Sequence, residues 1–366
     1  MSLVASILQN LRHADEKFYK NSLRIGEYGA FELYKEQTND PNGIITPETR
    51  DEAWNRSQGR VMQMTVLDPN TNITISNTRS CVITDAENTS KQVTVNFVYV
   101  GFGFTIVPTL FHNNQIGYEQ DFRTKFRTGE DAMGNAIDQL CIANLALGQS
   151  QVFAQDLGYT ITGNSVQVPY TKRTNIFGDL KGMMRANKFR AAEMDIVGNA
   201  GCEAILRNLG IFGPNNAQNL DGERRGNRLH YSNNVANATA SQTTSYSGAC
   251  YAVAPGMVGM LTRASRAELY KLKSIVGHEW DTVELPGLGL MVGSHYYQSV
   301  GDMSAIAGAA SADMVCDMKE HFSFGVEIAL LTAYNADIAT LANPIIKVDF
   351  EESANPTIAF PVKTVS

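Results

Sequence analysis

The sequence predicts an α+β fold in which one long helix separates two β-rich stretches, and three observations predict it. Residues 60 to 107 alternate apolar and polar side chains with a period of two. Met133, Ala136, Ile137, Leu140, Ala143 and Leu147 recur at helical spacings of three and four. The period of two then returns late in the chain, in Phe322, Phe324, Val326, Ile328 and Leu330.

A chain of 366 residues that is 43% hydrophobic can bury a substantial core and has the length of two or three compact units. Only 18% of residues are charged, against roughly 25% in ordinary soluble domains. A surface so poor in charge suits a protein that covers much of it with partners. The net charge of -7 argues against a protein that works by neutralising phosphates, so contact with DNA is expected to be loose. The apolar opening Leu3-Val-Ala-Ser-Ile-Leu8 soon meets Arg12, His13, Asp15, Glu16 and Lys17, unlike an export signal. No stretch has the length of a membrane-spanning helix, and a cytoplasmic protein with no membrane partner is expected. The five cysteines, Cys81, Cys141, Cys202, Cys250 and Cys316, are widely spaced and read as buried, reduced thiols.

Residues 1 to about 56 join a short amphipathic opening to a turn-rich run through Asn39 to Gly43 and Thr46-Pro47, the texture of an arm resting on another surface. Met62, Met64 and Val66, a turn at Asp68-Pro-Asn-Thr-Asn72, and the later run Val93, Val95, Phe97, Tyr99 predict at least one protruding hairpin. Thr128-Gly-Glu-Asp131 resembles a capping box, which starts the long helix near residue 130 and runs it to about 153. At 1.5 Å per residue that is roughly 35 Å, enough for the spine of a domain. A strand pair is expected between Tyr159 and Tyr170, then a helix from about Ala191 to Leu209 with Met194, Val197, Ile205 and Leu209 on its apolar stripe. Gly198 and Gly201 inside that segment predict close backbone packing. A strand at Tyr251 to Ala254, a helix at Thr262 to Ile275 and a strand at Leu288 to Val292 complete an α/β unit over about 180 to 318. The late strands, including Pro344 to Phe350, have no local partners of equal length. They are expected to pair with the strands before the spine helix, which makes that domain discontinuous.

Chemistry is sparse. No Gly-Lys pair occurs, so the phosphate cradle built on one is absent. Gly287-Leu-Gly289 followed by Gly293 misses the dinucleotide spacing by one residue and reads as structural. None of the six histidines, His13, His112, His230, His278, His295 and His321, has metal-ligand spacing, and no Gly-x-Ser-x-Gly elbow is present. No metal or cofactor is expected. Cys202 reads as a buried helical thiol, and Asp349, Glu351 and Glu352 as a solvated strand end. Arg224, Arg225 and Arg228 form one basic cluster, which either meets a neighbouring subunit or phosphate or belongs to an exposed loop.

The order of parts resembles the tailed-bacteriophage major capsid protein, a fold shared with encapsulins. The resemblance implies an N-terminal arm at 1–56 and an extended β-hairpin loop at 57–91. It implies a peripheral domain at 92–180 and 319–366, with its spine helix at about 130–153, and an inserted α/β axial domain at 181–318. Lys181-Gly-Met-Met-Arg-Ala-Asn187 through Leu209-Gly210 is similar to the opening of the axial domain, and Phe324 to Ile328 with Asn343 to Asp349 to the closing strands. The function implied is a non-enzymatic shell protein of the virion. It would assemble in the host cytoplasm into pentamers and hexamers of an icosahedral head around double-stranded DNA, with a separate scaffolding protein, a portal and decoration proteins as partners. Two alternatives stand beside it: an encapsulin-like cargo compartment, and an α/β enzyme with a site drawn from His278, Asp281 and His295.

Overall fold

The computed structural model describes residues 28–40, 43–55, 61–67, 90–108, 117–149, 157–162, 164–186, 194–208, 227–239, 245–264, 277–302, 316–332 and 344–352. Strands β3 (Val98–Ile106), β9 (Val258–Arg263), β10 (His278–Leu285), β11 (Leu290–Asp302) and β12 (Cys316–Thr332) form a five-stranded antiparallel sheet in the order β10-β11-β12-β3. β12 is its hub. One edge carries β11 and then β9, while the other carries β3 over nine residue pairs from Glu320↔Ile106 to Ile328↔Val98. The late strand therefore does pair with the strand before the spine helix.

That helix, α3 (Tyr118–Gly148), is 31 residues long, about 46 Å at 1.5 Å per residue. It begins ten residues before the capping-box reading places it. Thr128 lies inside it, its hydroxyl bonded to the Thr124 carbonyl at 2.9 Å, and the apolar stripe already starts at Phe122 and Phe126. Gly129 has a packing role instead: a methyl there would overlap the Phe102 ring. Phe102 and Phe104 from β3, Phe322 and Phe324 from β12, and Phe122 and Phe126 from the helix meet in ring pairs 5.1 to 6.0 Å apart. Such pairs contribute about 0.5–1.5 kcal/mol each beyond the area they bury. At the helix start, Tyr118 donates to Glu320 at 2.5 Å and Tyr296 to the same carboxylate at 3.2 Å. Burial, then the Glu320 contact, raises the Tyr118 phenol well above its usual value of 10.0.

The second sheet is mixed and six-stranded, in the order β4-β5-β13-β8-β6-β7. Its strands are β4 (Thr160–Thr162), β5 (Ser165–Val168), β6 (Met194–Gly198), β7 (Asn227–Tyr231), β8 (Tyr246–Val253) and β13 (Ile345–Glu351). Both faces are covered. Val197, Ala249, Tyr251, Val253 and Ile345 join the core under the spine helix. Ile196, Cys250, Ala252, Ile346, Val348 and Phe350 join a second core roofed by α4 (Ile176–Ala186) and α5 (Ala200–Asn208).

Two expectations change here. Met194 to Gly198, read as helix, is a strand buried along its whole length; the helix begins only at Ala200, after Asn199 accepts a hydrogen bond from Cys202 N at 3.0 Å. A strand covered on both faces shows no alternation, so its apolar run mimics a helix stripe. Gly201 does pack closely, because an added Cβ would strike the Ser247 carbonyl. The sheets also cross the boundaries expected at 181 and 318. β9, β10 and β11 lie in the sheet of the spine helix, whereas β13 leaves β12 and enters the other sheet between β5 and β8. The helix expected at Thr262 to Ile275 has Thr262 and Arg263 in β9, and 265–276 lie outside the described residues.

The first 56 residues are not all an arm. Residues 1–27 lie outside the described set, but α1 (Gly29–Thr38) is built into the core through Ala30, Phe31, Leu33 and Tyr34. Asp138 of the spine helix, fully buried, accepts from Ala30 N at 2.9 Å and Phe31 N at 3.1 Å. Its other oxygen accepts from Ser232 Oγ at 2.5 Å and Asn234 Nδ2 at 2.7 Å. A carboxylate there satisfies the open amides of a helix start and sits at the positive end of its dipole. At the far end, Gln37 accepts from Met257 N and Val258 N and donates to Asp195, and Thr38 Oγ1 accepts from Met260 N at 2.8 Å. A second short helix, α2 (Pro47–Asn55), follows.

Removing the carboxylate with Asp138→Ala takes the acceptor from two buried helix amides and from the buried Ser232 hydroxyl. A loss of about 3 kcal/mol or more in urea unfolding is expected. Glycines inside helices separate by what they touch. Gly129→Ala should destabilise by about 1–3 kcal/mol despite its better helix propensity. Gly182→Ala, where an added Cβ meets nothing within 4 Å, should instead gain about 0.5–1 kcal/mol.

Candidate functional site

β1 (Val61–Leu67) and β2 (Ser90–Asn96) form a separate two-stranded antiparallel ribbon of seven residue pairs, and no other described strand pairs with either. The ribbon leaves the body at a small third core of Ile45, Ala53, Met62, Val95, Phe97, Leu261, Ala329 and Leu331. Beneath it, Arg263 Nε meets Glu327 Oε2 at 2.6 Å with both residues buried, and the guanidinium lies 4.2 Å from the Phe97 ring centroid. A two-stranded ribbon is at best marginally stable alone in water. The root is thus anchored by a buried ion pair and apolar contacts, while Thr94 and Asn96 face solvent.

The strand that continues from the ribbon exposes Val98 and Tyr99 at 50% and 53% of their surface. Tyr99 lies over Gly101 and Gly325, whose missing side chains make room for its ring. Leu147 at the end of the spine helix is 84% exposed, and Met291 and Met318 are exposed on β11 and β12. These apolar side chains lie on β3, the end of the spine helix, β11 and β12.

The face of the five-stranded sheet opposite the spine helix carries stacked rings. Trp280 lies on His295 at 3.6 Å between centroids, His278 and Tyr297 flank them at about 5.1 Å, and Tyr297 stacks on His321 at 4.4 Å. His278 and His295 are therefore brought together, as the enzyme alternative requires, but Asp281 alternates to the other side of β10, its carboxylate accepting from Thr282 N at 2.9 Å. The three do not converge. Among the described residues no group of three or more His, Cys, Asp or Glu could hold a metal ion, and no described helix is long and apolar enough to cross a membrane.

Of the basic cluster, Arg224 and Arg225 lie outside the described residues. Arg228 is engaged within the chain, its Nε 2.9 Å from Asp195 Oδ1 and its Nη1 3.4 Å from Glu36. Burial alone would raise the Asp195 carboxyl; nearby His230, the Gln37 hydrogen bond and the Arg228 charge outweigh it and hold the group below its usual 3.8. Asp349 is not a solvated strand end. It is fully buried, accepting from Ser165 Oγ and from Ala238 N at 2.9 Å, while Glu352 is exposed and accepts from Ser245. Cys141, Cys202 and Cys250 are free and buried. The hydrogen bond it shares with Cys202, then burial, pushes the Cys250 thiol up.

No protein-family model and no curated protein matches the chain. Solved structures do. The chain is similar to solved phage structures, some of them capsids. One, a Mycobacterium phage Che8 structure, is 11% identical with a TM-score of 0.46, covering 84% of this chain and 89% of that one. The capsid of Ralstonia phage GP4 is 13% identical with a TM-score of 0.45, covering 92% and 94%. The capsid structure of cyanophage P-SCSP1u is 11% identical with a TM-score of 0.44, covering 82% and 86%.

Arg263→Met takes the guanidinium away from the buried Glu327 carboxylate and should cost about 3–5 kcal/mol in equilibrium unfolding, whereas the double change Arg263→Met with Glu327→Leu should recover most of it. In the native protein, Cys141, Cys202 and Cys250 should remain unlabelled by iodoacetamide under conditions that label them after denaturation, as read by peptide mass spectrometry.

Proposed function

We propose that this chain is the shell-forming subunit of a tailed-phage head, joining copies of itself as pentamers and hexamers into an icosahedral shell around double-stranded DNA. One observation carries the reading: the β1–β2 ribbon pairs with no third described strand, and among the described residues Met62 and Val95 at its root are what join it to a core. A ribbon of this kind gains its stability from a surface it is laid against. In a shell that surface belongs to a neighbouring copy. One interface of standard size, roughly 1,600 Å², can be weak alone, yet closure multiplies it.

The low charge content suits a body that is covered on several sides, and the net charge of -7 suits a wall that does not hold the packaged DNA tightly. Under this reading the subunit assembles in the host cytoplasm on a separate scaffolding protein, with a portal and decoration proteins as further partners. The ribbon and the residues between its strands act as the extended loop, the sheet with the spine helix as a peripheral unit and the six-stranded sheet as an axial one. Arg224 and Arg225 are the members of the basic cluster assigned to a neighbouring subunit or to phosphate.

Negative-stain microscopy and sedimentation of the purified full-length chain, alone and with neighbouring gene products, test the proposal. Rings, tubes or shells are expected. Replacing residues 68–89 with a two-residue Asn-Gly turn should leave the circular dichroism and unfolding transition of the body intact while reducing assembled species about tenfold or more. A monomer that stays monomeric under every one of these conditions would overturn the reading.

A further inference from the structure

On the ring face of the five-stranded sheet, His278 Nδ1 and His295 Nε2 are 2.8 Å apart, with the two rings 9° from parallel. At that length one nitrogen must donate and the other accept. A neutral pair satisfies this, and so does a pair carrying one extra proton. A pair carrying two extra protons does not: both nitrogens then bear hydrogens, and two like charges face each other across a hydrogen-bond distance.

The surroundings do not offset that second charge. On this face β10 presents Trp280 and Thr282, while Glu279 and Asp281 alternate to the spine side, where Glu279 acts on Tyr296. β11 presents Tyr297 and Ser299, and β12 presents His321 and Lys319, the latter opposite Ser299. β3 presents Thr105, bonded to His321 Nδ1 at 2.9 Å. Among the described residues the titratable groups nearest the pair on this face are thus imidazole, phenol and ammonium; the carboxylates that share the face are Glu284, two residues beyond Thr282 on β10, and Glu327, which is paired with Arg263. Burial, and then the charge of His278, lowers the pKa of His295 from its usual 6.5.

The contact spans the edge of the sheet, beside the eight residue pairs that join β10 to β11. β10 has β11 as its one neighbour in the described sheet, and the pair's hydrogen bond and the stacked Trp280 lie across that boundary.

We propose that the His278–His295 pair is a proton-operated latch on the β10–β11 edge: uptake of the second proton drives the two imidazoles apart, opens the ring stack and loosens β10 from the sheet. The latch goes beyond the shell reading and holds for the single subunit, whatever it assembles into. Its sign follows from the lowered imidazole. The folded state favours the neutral form, so the stabilisation is complete above about 6.5 and is lost as pH falls from there through the lower folded value.

The chain has two tryptophans, Trp54 and Trp280, so Trp54→Phe leaves Trp280 as a reporter inside the stack. In that full-length variant, Trp280 emission should change as pH falls from about 8 to about 4.5, with a midpoint below 6.5. Over the same interval, amide exchange in wild-type 278–285, corrected for its intrinsic pH dependence, should speed up about tenfold relative to β12. His278→Gln and His295→Gln, each in the Trp54→Phe background, should abolish the emission titration, whereas His321→Gln should keep it. Unchanged protection of β10 in the wild type down to pH about 4.5 overturns the latch, and so does a titration that survives both His278→Gln and His295→Gln. The exchange experiment needs no variant to fold, and neither result depends on whether particles form.

Discussion

The ladder between β3 and β12 is the constraint on which the rest of the molecule hangs. It joins residues 98–106 to residues 320–328, more than two hundred positions later, so a long closure must be completed before β3 has its partner. Only when the two strands lie side by side do Phe102, Phe104, Phe322 and Phe324 present one aromatic surface, and only against that surface does the spine helix bury Phe122 and Phe126. Chain segments between the two strands are housed above and beside this frame, part of them in its own sheet and part in the second one.

Buried polar groups set how the segments are arranged on that frame. Asp138 ties the spine helix to α1 and to the residues after β7, Gln37 ties α1 to β6 and β9, and Asp349 ties β13 to β5 and to Ala238. Each joins pieces distant in sequence and is satisfied by several partners. Such contacts add modest net stability but penalise any other arrangement, because a misplaced segment leaves a carboxylate or amide buried without its partners. The hydrophobic cores supply the driving force, and these links specify which packing is adopted.

What the sequence made legible follows from how many faces each element buries. β12 sets Ser323, Gly325 and Glu327 between its apolar residues, and the spine helix has a covered side that takes in Met133 and Ile137 and an open one, so periods of two and near four were plain although Leu147 of the expected stripe is exposed. β6 is covered on both sides, and its run Met-Asp-Ile-Val-Gly carried no period to separate strand from helix. The true start of the spine helix was hidden by Thr128 and Gly129, which imitate a cap while serving a ring contact. α1 escaped notice because its apolar residues Ala30, Phe31, Leu33 and Tyr34 span little more than one turn, and its docking is completed by Gln37, Thr38 and the distant Asp138, none of which marks a core helix locally. Of the candidate site, the ribbon was readable from Met62 and Val95 with the turn residues between them. The ring stack was not: His278 and His295 meet only through the register of β10 on β11, and Tyr297 meets His321 only through that of β11 on β12.

The place of β13 bears on synthesis. It is the last described strand of the chain, yet it is central in its sheet, parallel to β5 on one side and antiparallel to β8 on the other. While the ribosome is still adding residues before Ile345, β4 and β5 have nothing to join them to β8, and Ile346, Val348 and Phe350 are missing from the core they complete. A polypeptide released early therefore carries a divided sheet with two open strand edges and an unfilled interior, the features that mark it for chaperones and proteases. The second sheet is thus whole only after β13 has been made, which keeps products broken off before it out of any ordered array that the finished protein builds.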